Sequence, residues 1–201
     1  MLPWELGVAG ACRRSVLVDA VGEHSVRSAV RSRAALSPWP GVLVDAGRAT
    51  DPWTSVTAAW LLVGEDSVVA GPTAAHLLGC AAAPLTPVHL AVTYETRRRS
   101  RPGLFVHNGL ALADDTVPVN GLPLLRLERV VCDVLCTVAP GEALVIADQA
   151  LASVVRVTKD ELRSHVLERD LAQAFRRRGV DLSRRVVNGL RPRRHRDPRS
   201  A

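Results

Sequence analysis

Between residues 15 and 34 the spacing of apolar positions predicts two short helices. Ser15 is the expected N-cap of a helix that runs to Val21, because its hydroxyl can accept an N–H of the first turn. Gly22 then supplies a tight turn, and Ser25 is the expected N-cap of the second helix. Apolar residues recur there at helical spacing, so one face of this helix is predicted to pack on a core. They are Val26, Ala29, Val30 and Ala34.

The opposite face of the second predicted helix is small, basic and rich in hydroxyl groups. At 100° per residue this face carries Arg27, Ser28, Arg31 and Ser32. Such a face suits a helix laid in the major groove of DNA. An ordinary helix pair with a solvated basic face explains the pattern equally well, because helix-turn-helix motifs have no rigid signature.

A turn rich in proline and glycine follows at residues 38–41, before the apolar run 42–44. This order is typical of a hairpin. We therefore predict a winged helix-turn-helix domain over residues 1–48, with a short leading helix around residues 4–10. The expected DNA-contacting residues are Ser25, Arg27, Ser28, Arg31, Ser32 and Arg33.

The rest of the pattern predicts an α/β body over residues 49–175, which makes the whole chain α+β. Helical spacing appears over residues 53–63 and 73–79, and a short strand is expected between them at 67–70. Strands are expected at 88–94 and 104–107, and a hairpin at 116–125 turns at Asn120-Gly121. From Leu127 onward the pattern is helical, with a capping box that begins at Thr158.

Four arginines lie between the strands expected at 88–94 and 104–107. We predict that they occupy the tip of a hairpin, where they serve as a soluble turn or, alternatively, contact DNA phosphates. These residues are Arg97, Arg98, Arg99 and Arg101.

The positive charge of the chain is concentrated at its C-terminal end. The formal net charge is +6 in 201 residues, and residues 176–201 contain ten arginines against two aspartates. The rest of the chain is therefore close to neutral. We expect a disordered basic tail over 176–201, compatible with nucleic acid as a partner but not requiring it.

The four cysteines, at positions 12, 80, 132 and 136, lie in apolar surroundings without a CxxC pair. This pattern favours reduced core residues of a cytoplasmic protein. No apolar run approaches the roughly 20 residues that span a bilayer, so no membrane association is expected.

Motifs for catalysis are missing from the sequence. It contains no phosphate-binding loop, dinucleotide fingerprint, zinc-protease motif or nucleophile elbow. His89 and His107 fall on neighbouring predicted strands, where a structural pair is favoured over a site. Asp114 and Asp115 are adjacent and are expected to point to opposite faces of a strand. We therefore expect no enzyme activity, no cofactor and no metal.

Taken together, the order of these motifs resembles actinobacterial proteins with an AbiEi-type antitoxin domain, over residues 13–174. Residues 70–79 are similar to the family's stretch S-H-x-T-A-A-x-x-x-G, although Gly71-Pro72 replaces its Ser-His. Residues 121–133 are similar to its stretch G-L-P-V-T-x-x-x-R-T-x-x-D, with Arg129 and Asp133 in place. Because these two residues are spaced i, i+4, an intrahelical ion pair is preferred to a catalytic role.

The resemblance implies a DNA-binding regulator that represses its own promoter. It also implies a cognate nucleotidyltransferase-like toxin as partner, whereas the endonuclease-like domain of longer relatives is not expected here. A homodimer would match two-fold operator half-sites. The alternative hypothesis is a protein-interaction module with a degenerate helix-turn-helix and no specific DNA binding.

Overall fold

A strand, two helices and a hairpin form the N-terminal part of the computed structural model, which describes residues 2–96, 98–109 and 115–153. Strand β1 (Ala11–Arg13) leads into helix α1 (Arg14–Val21) and helix α2 (Glu23–Arg31). Strands β2 (Ala35–Trp39) and β3 (Val42–Asp45) follow. We call residues 2–48 the N-terminal unit.

The three strands form an antiparallel sheet in the order β1-β3-β2, so the predicted hairpin is confirmed. The leading helix expected at 4–10 is reduced to one 3-10 turn, Trp4–Leu6. Positive φ angles at Ala9 and Gly10 turn the chain after it, directly before β1.

Both helices of the N-terminal unit begin earlier than the sequence suggests, so the predicted caps at Ser15 and Ser25 are wrong. Helix α1 begins at Arg14 and α2 at Glu23, and neither N-terminus has a side-chain cap. Gly22, with φ of 80°, separates the two helices by one residue, which leaves no loop for a serine cap. Because α2 ends at Arg31, Ala34 lies beyond the helix and is exposed rather than part of the apolar stripe.

Side chains of the N-terminal sheet alternate between two cores. Cys12 and Leu43 face helices α1 and α2, where they pack with the buried Leu17 and Val26. Their neighbours on the other face, Ala11, Val42 and Val44, belong to the larger core of the chain. This larger core therefore continues across residue 48.

Helix α3 (Pro52–Val63) links the N-terminal unit to the body. Its first turn is capped by the Asp51 carboxylate, which accepts the Trp53 N–H at 3.0 Å, and Pro52 occupies the first turn. Most of α3 is buried, because it packs on the N-terminal sheet and also contacts strands of the second sheet.

The body contains a mixed five-stranded sheet and three further helices. The strands are β4 (Val68–Val69), β5 (Val88–Thr93), β6 (Leu104–Gly109), β7 (Thr116–Val119) and β8 (Leu122–Leu125), in the order β6-β5-β4-β8-β7. The helices are α4 (Gly71–Leu77), α5 (Leu127–Thr137) and α6 (Pro140–Ser153). The mixture of helices and strands agrees with the predicted α+β class. The predicted β7–β8 hairpin is confirmed, with Asn120 and Gly121 at positive φ.

The arginine-rich segment does not form a hairpin tip, so this prediction is wrong. Strands β5 and β6 are parallel, with Val88 opposite Leu104. The connection between β5 and β6 therefore returns the chain along the sheet to the end where β5 began. Hydrogen bonds hold this return: the Val88 N–H donates to the Gly103 carbonyl at 2.9 Å, and the Val106 N–H donates to the Ser100 hydroxyl at 3.0 Å.

Several predicted features lie outside the described residues, namely Arg97, Asp114, the capping box at Thr158 and the basic tail 176–201. Within the ranges that the structure describes, no helix has both the length and the apolar character needed to cross a membrane.

Candidate nucleic-acid interface

Helix α2 presents its polar face to solvent because its apolar face is anchored in the small N-terminal core. Val26 is fully buried, and Ala29 and Val30 pack against the same cluster. The predicted contact residues lie on the other faces of this helix, and each is exposed. They are Ser25, Arg27, Ser28 and Arg31, with Ser32 directly after the helix.

The exposed face of α2 has two distinct edges. Arg27 and Arg31 lie one helical turn apart and form an arginine edge. Ser25, Ser28 and Ser32 form a serine edge, which lines a groove together with Leu2, Trp4, His24 and Asp45. The structure thus separates the arginines from the serines, which the sequence pattern had placed on one common face.

Glu23 ties together the beginnings of both helices. Its Oε1 accepts hydrogen bonds from Arg14 Nη2 and from Arg27 Nε, each at 2.7 Å. These hydrogen bonds, first from Arg14 and then from Arg27, hold the pKa of Glu23 below its usual value. Arg27 is nevertheless 68% exposed, so the other nitrogens of its guanidinium face solvent. Glu23 therefore orients Arg27 but also offsets part of its charge.

Arg31 and Arg33 have no acidic partner within 4 Å in the part of the chain that the structure describes. Arg33 lies just after α2 with φ of 60°. Its N–H donates to the Val30 carbonyl, and the next N–H, of Ala34, donates to the Ala29 carbonyl. This is a Schellman motif in which arginine occupies the position usually held by glycine.

The hairpin tip contains no cationic residue, since residues 37–41 are Ser-Pro-Trp-Pro-Gly. The single proton of the Ser37 hydroxyl is within reach of the Trp39 carbonyl at 3.1 Å and the Val42 carbonyl at 3.2 Å, and the hydrogen bond stabilises this tip. Trp39 is half-buried and packs against the large core. The position that a Cβ would take on Gly103 is 4.0 Å from Cζ2 of Trp39, so the tip adjoins the arginine-rich segment of the body.

The predicted phosphate contacts Arg98, Arg99 and Arg101 are all exposed. Arg98 also lies near the end of α3, where its Nη2 is 3.9 Å from the Cβ position of Gly64. Close by in sequence, Glu65 pairs with Arg13 at 3.6 Å. The arginine-rich segment therefore lies beside the N-terminal unit. A hairpin tip, as predicted from the sequence, would not have implied this position.

His89 and His107 do meet, as the sequence allowed. His89 Nδ1 and His107 Nε2 are 2.9 Å apart, and both rings stack with Phe105. Burial, and then the neighbouring His107, lower the pKa of His89 to about 4. Burial also lowers the pKa of His107, against an opposing effect of Asp133. The described ranges contain no group of three or more His, Cys, Asp or Glu that could hold a metal ion.

The predicted ion pair between Arg129 and Asp133 is confirmed, with Nε 3.1 Å from Oδ1. Arg129 Nη1 also reaches Oδ2 of Asp115 at 3.1 Å. Sequence reasoning missed Asp115 because it lies 14 residues away on the other side of the β7–β8 hairpin. The two contacts join α5 to the start of β7.

Compared with known proteins, the chain matches no family model and no curated protein. Support for a nucleic-acid interface therefore comes from the geometry of the N-terminal unit alone.

Proposed function

We propose that this protein is a transcriptional regulator that binds double-stranded DNA through its N-terminal unit, with α2 as the recognition helix. The observation that carries the proposal is the strand–helix–helix–hairpin order with the sheet order β1-β3-β2, from which α2 presents an exposed arginine edge. This order of elements supports a winged helix-turn-helix in which the β2–β3 hairpin is the wing.

The dimensions of α2 suit this role. An α-helix with its side chains is about 10–12 Å across, which fits the major groove of B-DNA, about 12 Å wide, and the nine residues of α2 place Arg27 and Arg31 one turn apart along it. Arginine is suited both to the guanine edge and to phosphate, because its guanidinium donates hydrogen bonds in pairs. Arg27 and Arg31 are the residues on which we place base or phosphate recognition, and Arg33 extends the same end of the helix.

The resemblance to AbiEi-type antitoxins supports a more specific proposal. In this proposal the cytoplasmic protein represses its own promoter and restrains a nucleotidyltransferase-like toxin. Recognition of two half-sites would require a homodimer. The gene adjacent to its own provides a direct check, since a neighbouring nucleotidyltransferase-like gene favours an antitoxin over a solitary regulator.

A protein-interaction module without DNA specificity is the second candidate. The pairing of Arg27 with Glu23 favours it, because this contact offsets charge at the centre of the proposed recognition face. The groove along the serine edge also favours it, since Trp4 and Leu2 contribute apolar surface there.

The test is an affinity measurement with the full chain on duplex DNA from the region upstream of its own gene. Arg27→Ala combined with Arg31→Ala should weaken binding at least tenfold, because each specific base contact contributes about 1–3 kcal/mol. The control is Arg126→Ala, which removes an exposed arginine outside the N-terminal unit. Fluorescence anisotropy with a scrambled duplex as competitor measures both affinity and specificity.

Equal affinities of the α2 variant and the control would contradict the recognition role of α2. The interaction module would be favoured if the wild-type chain showed no preference for the upstream duplex but bound the product of the neighbouring gene.

A further inference from the structure

The wing of the proposed DNA-binding unit lacks the positive charge that a phosphate-contacting hairpin needs. Its tip, residues 37–41, contains neither lysine nor arginine. A hairpin of this composition cannot neutralise phosphates, which provide most of the salt-dependent affinity for DNA. If the protein binds DNA at this end, the charges must come from a neighbouring segment.

The parallel pairing of β5 with β6 brings such a segment to the wing. The connection from β5 to β6 returns along the sheet, so that Gly103 arrives beside Trp39 of the wing, where a Cβ placed on Gly103 would be 4.0 Å from the ring. Arg98, Arg99 and Arg101 are exposed on this return. In the described part of the chain, none of the three forms an ion pair within 4 Å. Asp66 is an acidic neighbour of Arg98, since the Cβ position of Gly64 is 2.6 Å from Asp66 Oδ1 and 3.9 Å from Arg98 Nη2.

The return segment is held by hydrogen bonds rather than left as a free loop. The Ser100 hydroxyl accepts the Val106 N–H, and the Asn108 side-chain amide donates to the Arg98 carbonyl at 3.4 Å. Before the arginines, the Thr96 hydroxyl donates to the Asp66 carboxylate at 2.9 Å. These contacts fix the backbone on both sides of the arginine side chains, which lowers the entropy cost of binding a ligand there.

The wing is also connected to the start of α2. The Arg14 N–H donates to the carbonyl of Gly41 in the tip, and the Arg14 guanidinium reaches Glu23 at the first turn of α2. The wing is therefore joined to α2 through Arg14, and its Trp39 lies beside Gly103, close in sequence to the arginines of the body.

We propose that Arg98, Arg99 and Arg101 form a phosphate-binding arm that serves the wing from the body of the protein. The arm contacts the DNA backbone beside the base pairs read by α2. This inference rests on the proposed function, and it assigns the sequence-independent part of the affinity to a segment outside the N-terminal unit.

The salt dependence of DNA binding tests the arm. Removing one arginine that neutralises a phosphate lowers the slope of log K against log salt by about 0.9. Arg98→Ala combined with Arg101→Ala should therefore lower the slope by nearly two units. It should weaken binding to the upstream and scrambled duplexes by the same factor, since phosphates carry no sequence information. Arg126→Ala removes an exposed arginine of the body outside the arm and should leave the slope nearly unchanged.

A second variant tests whether the wing positions the arm. Trp39→Ala keeps every arginine but removes the ring beside Gly103, so its effect on the slope should overlap with that of the arm variant rather than add to it. Trp39→Phe keeps an aromatic contact and should restore most of the wild-type slope. Circular dichroism of each variant verifies that the fold is retained.

The outcomes separate the arm from the proposed function. If the arm variant behaves like the charge control while removal of Arg27 and Arg31 abolishes specific binding, the arm proposal is wrong and α2 remains the proposed recognition helix. If the arm variant lowers the slope while the α2 variant keeps wild-type specificity, the arm is supported and the proposed role of α2 fails. If the wild-type chain binds neither duplex, both proposals are wrong.

Discussion

At the scale of single residues, the histidine pair shows how burial can set a proton-binding property without creating a catalytic site. His89 and His107 share one hydrogen bond and stack on Phe105, which is half exposed. Both imidazoles are held neutral near pH 7, because their pKa values lie below the ordinary 6.5. In the neutral pair one ring donates the N–H and the other accepts it, whereas two charged rings would both present protons and repel each other.

Acid should therefore destabilise the protein through this pair. The unfolded chain binds more protons than the folded chain between pH 6.5 and about 4, so the free energy of unfolding falls as the pH falls through that window. For half-buried rings, screened by solvent, we expect a decrease of about 1–2 kcal/mol. Urea unfolding at pH 7 and at pH 5 measures it.

His89→Gln should remove most of this pH dependence, since an amide keeps hydrogen-bonding capacity but does not titrate in this range. His24→Gln removes an exposed histidine outside the pair and serves as the matched control, which should keep the dependence. An acid destabilisation of His89→Gln as large as that of the wild-type chain would show that other groups are responsible.

At the scale of elements, the C-terminus of α2 shows a backbone conformation that arginine rarely adopts. Arg33 has φ of 60° and closes the Schellman motif at the end of this helix. A left-handed conformation costs a residue with a Cβ roughly 1–2 kcal/mol, whereas glycine adopts it freely.

Arg33→Gly should therefore stabilise the protein by roughly 0.5–1 kcal/mol, after the greater flexibility of glycine in the unfolded chain is taken into account. Arg33→Ala keeps the Cβ and should give no such gain. If Arg33 contacts DNA, both variants should weaken binding equally, because both remove the charge. Only Arg33→Gly should change stability, because only glycine relieves the backbone strain. Thermal unfolding and anisotropy of the same three proteins measure both effects. A stabilising effect of Arg33→Ala equal to that of Arg33→Gly would contradict the conformational argument.

The elements differ in how far local sequence determines them. The Asn120-Gly121 turn and the apolar stripe at Val26, Ala29 and Val30 follow from local chemistry, and the structure contains both. The strands β5 and β6 were also predictable, but not their parallel pairing, which depends on the path of the connection between them across the sheet. For the same reason the approach of Gly103 to Trp39, on which the proposed arm depends, carries no local sequence signal.

Cap positions failed for a different reason. A serine near a helix start predicts a cap only if a loop residue is free to take the extended conformation. Here the strand β1 leads directly into α1, and Gly22 alone separates α1 from α2. Ser15 and Ser25 consequently lie inside helices, where Ser25 lines the groove beside Trp4.

At the scale of the whole molecule, α3 joins the N-terminal unit to the body as one packed structure. Val42 and Val44 of the N-terminal sheet share the large core with α3 and the five-stranded sheet. The Thr54 hydroxyl of α3 also donates a hydrogen bond to the Ala9 carbonyl. The boundary expected at residue 48 therefore does not divide the large core, which includes residues on both sides of it. The position of the arm beside the wing depends on this shared packing.

Two adjacent residues of β3 test whether the molecule unfolds as a unit. Val44 faces the large core and Leu43 faces α1 and α2, and both are buried. Val44→Ala should cost about 2 kcal/mol and Leu43→Ala about 2–4 kcal/mol, from reduced burial and the cavities left behind. If unfolding is cooperative, each variant should lower amide protection in α2 and in β5 by the same free energy, as measured by hydrogen exchange. A decrease of protection confined to α2 in Leu43→Ala would instead show that the N-terminal unit opens alone, and the wing would then separate from the arginine arm without unfolding the body.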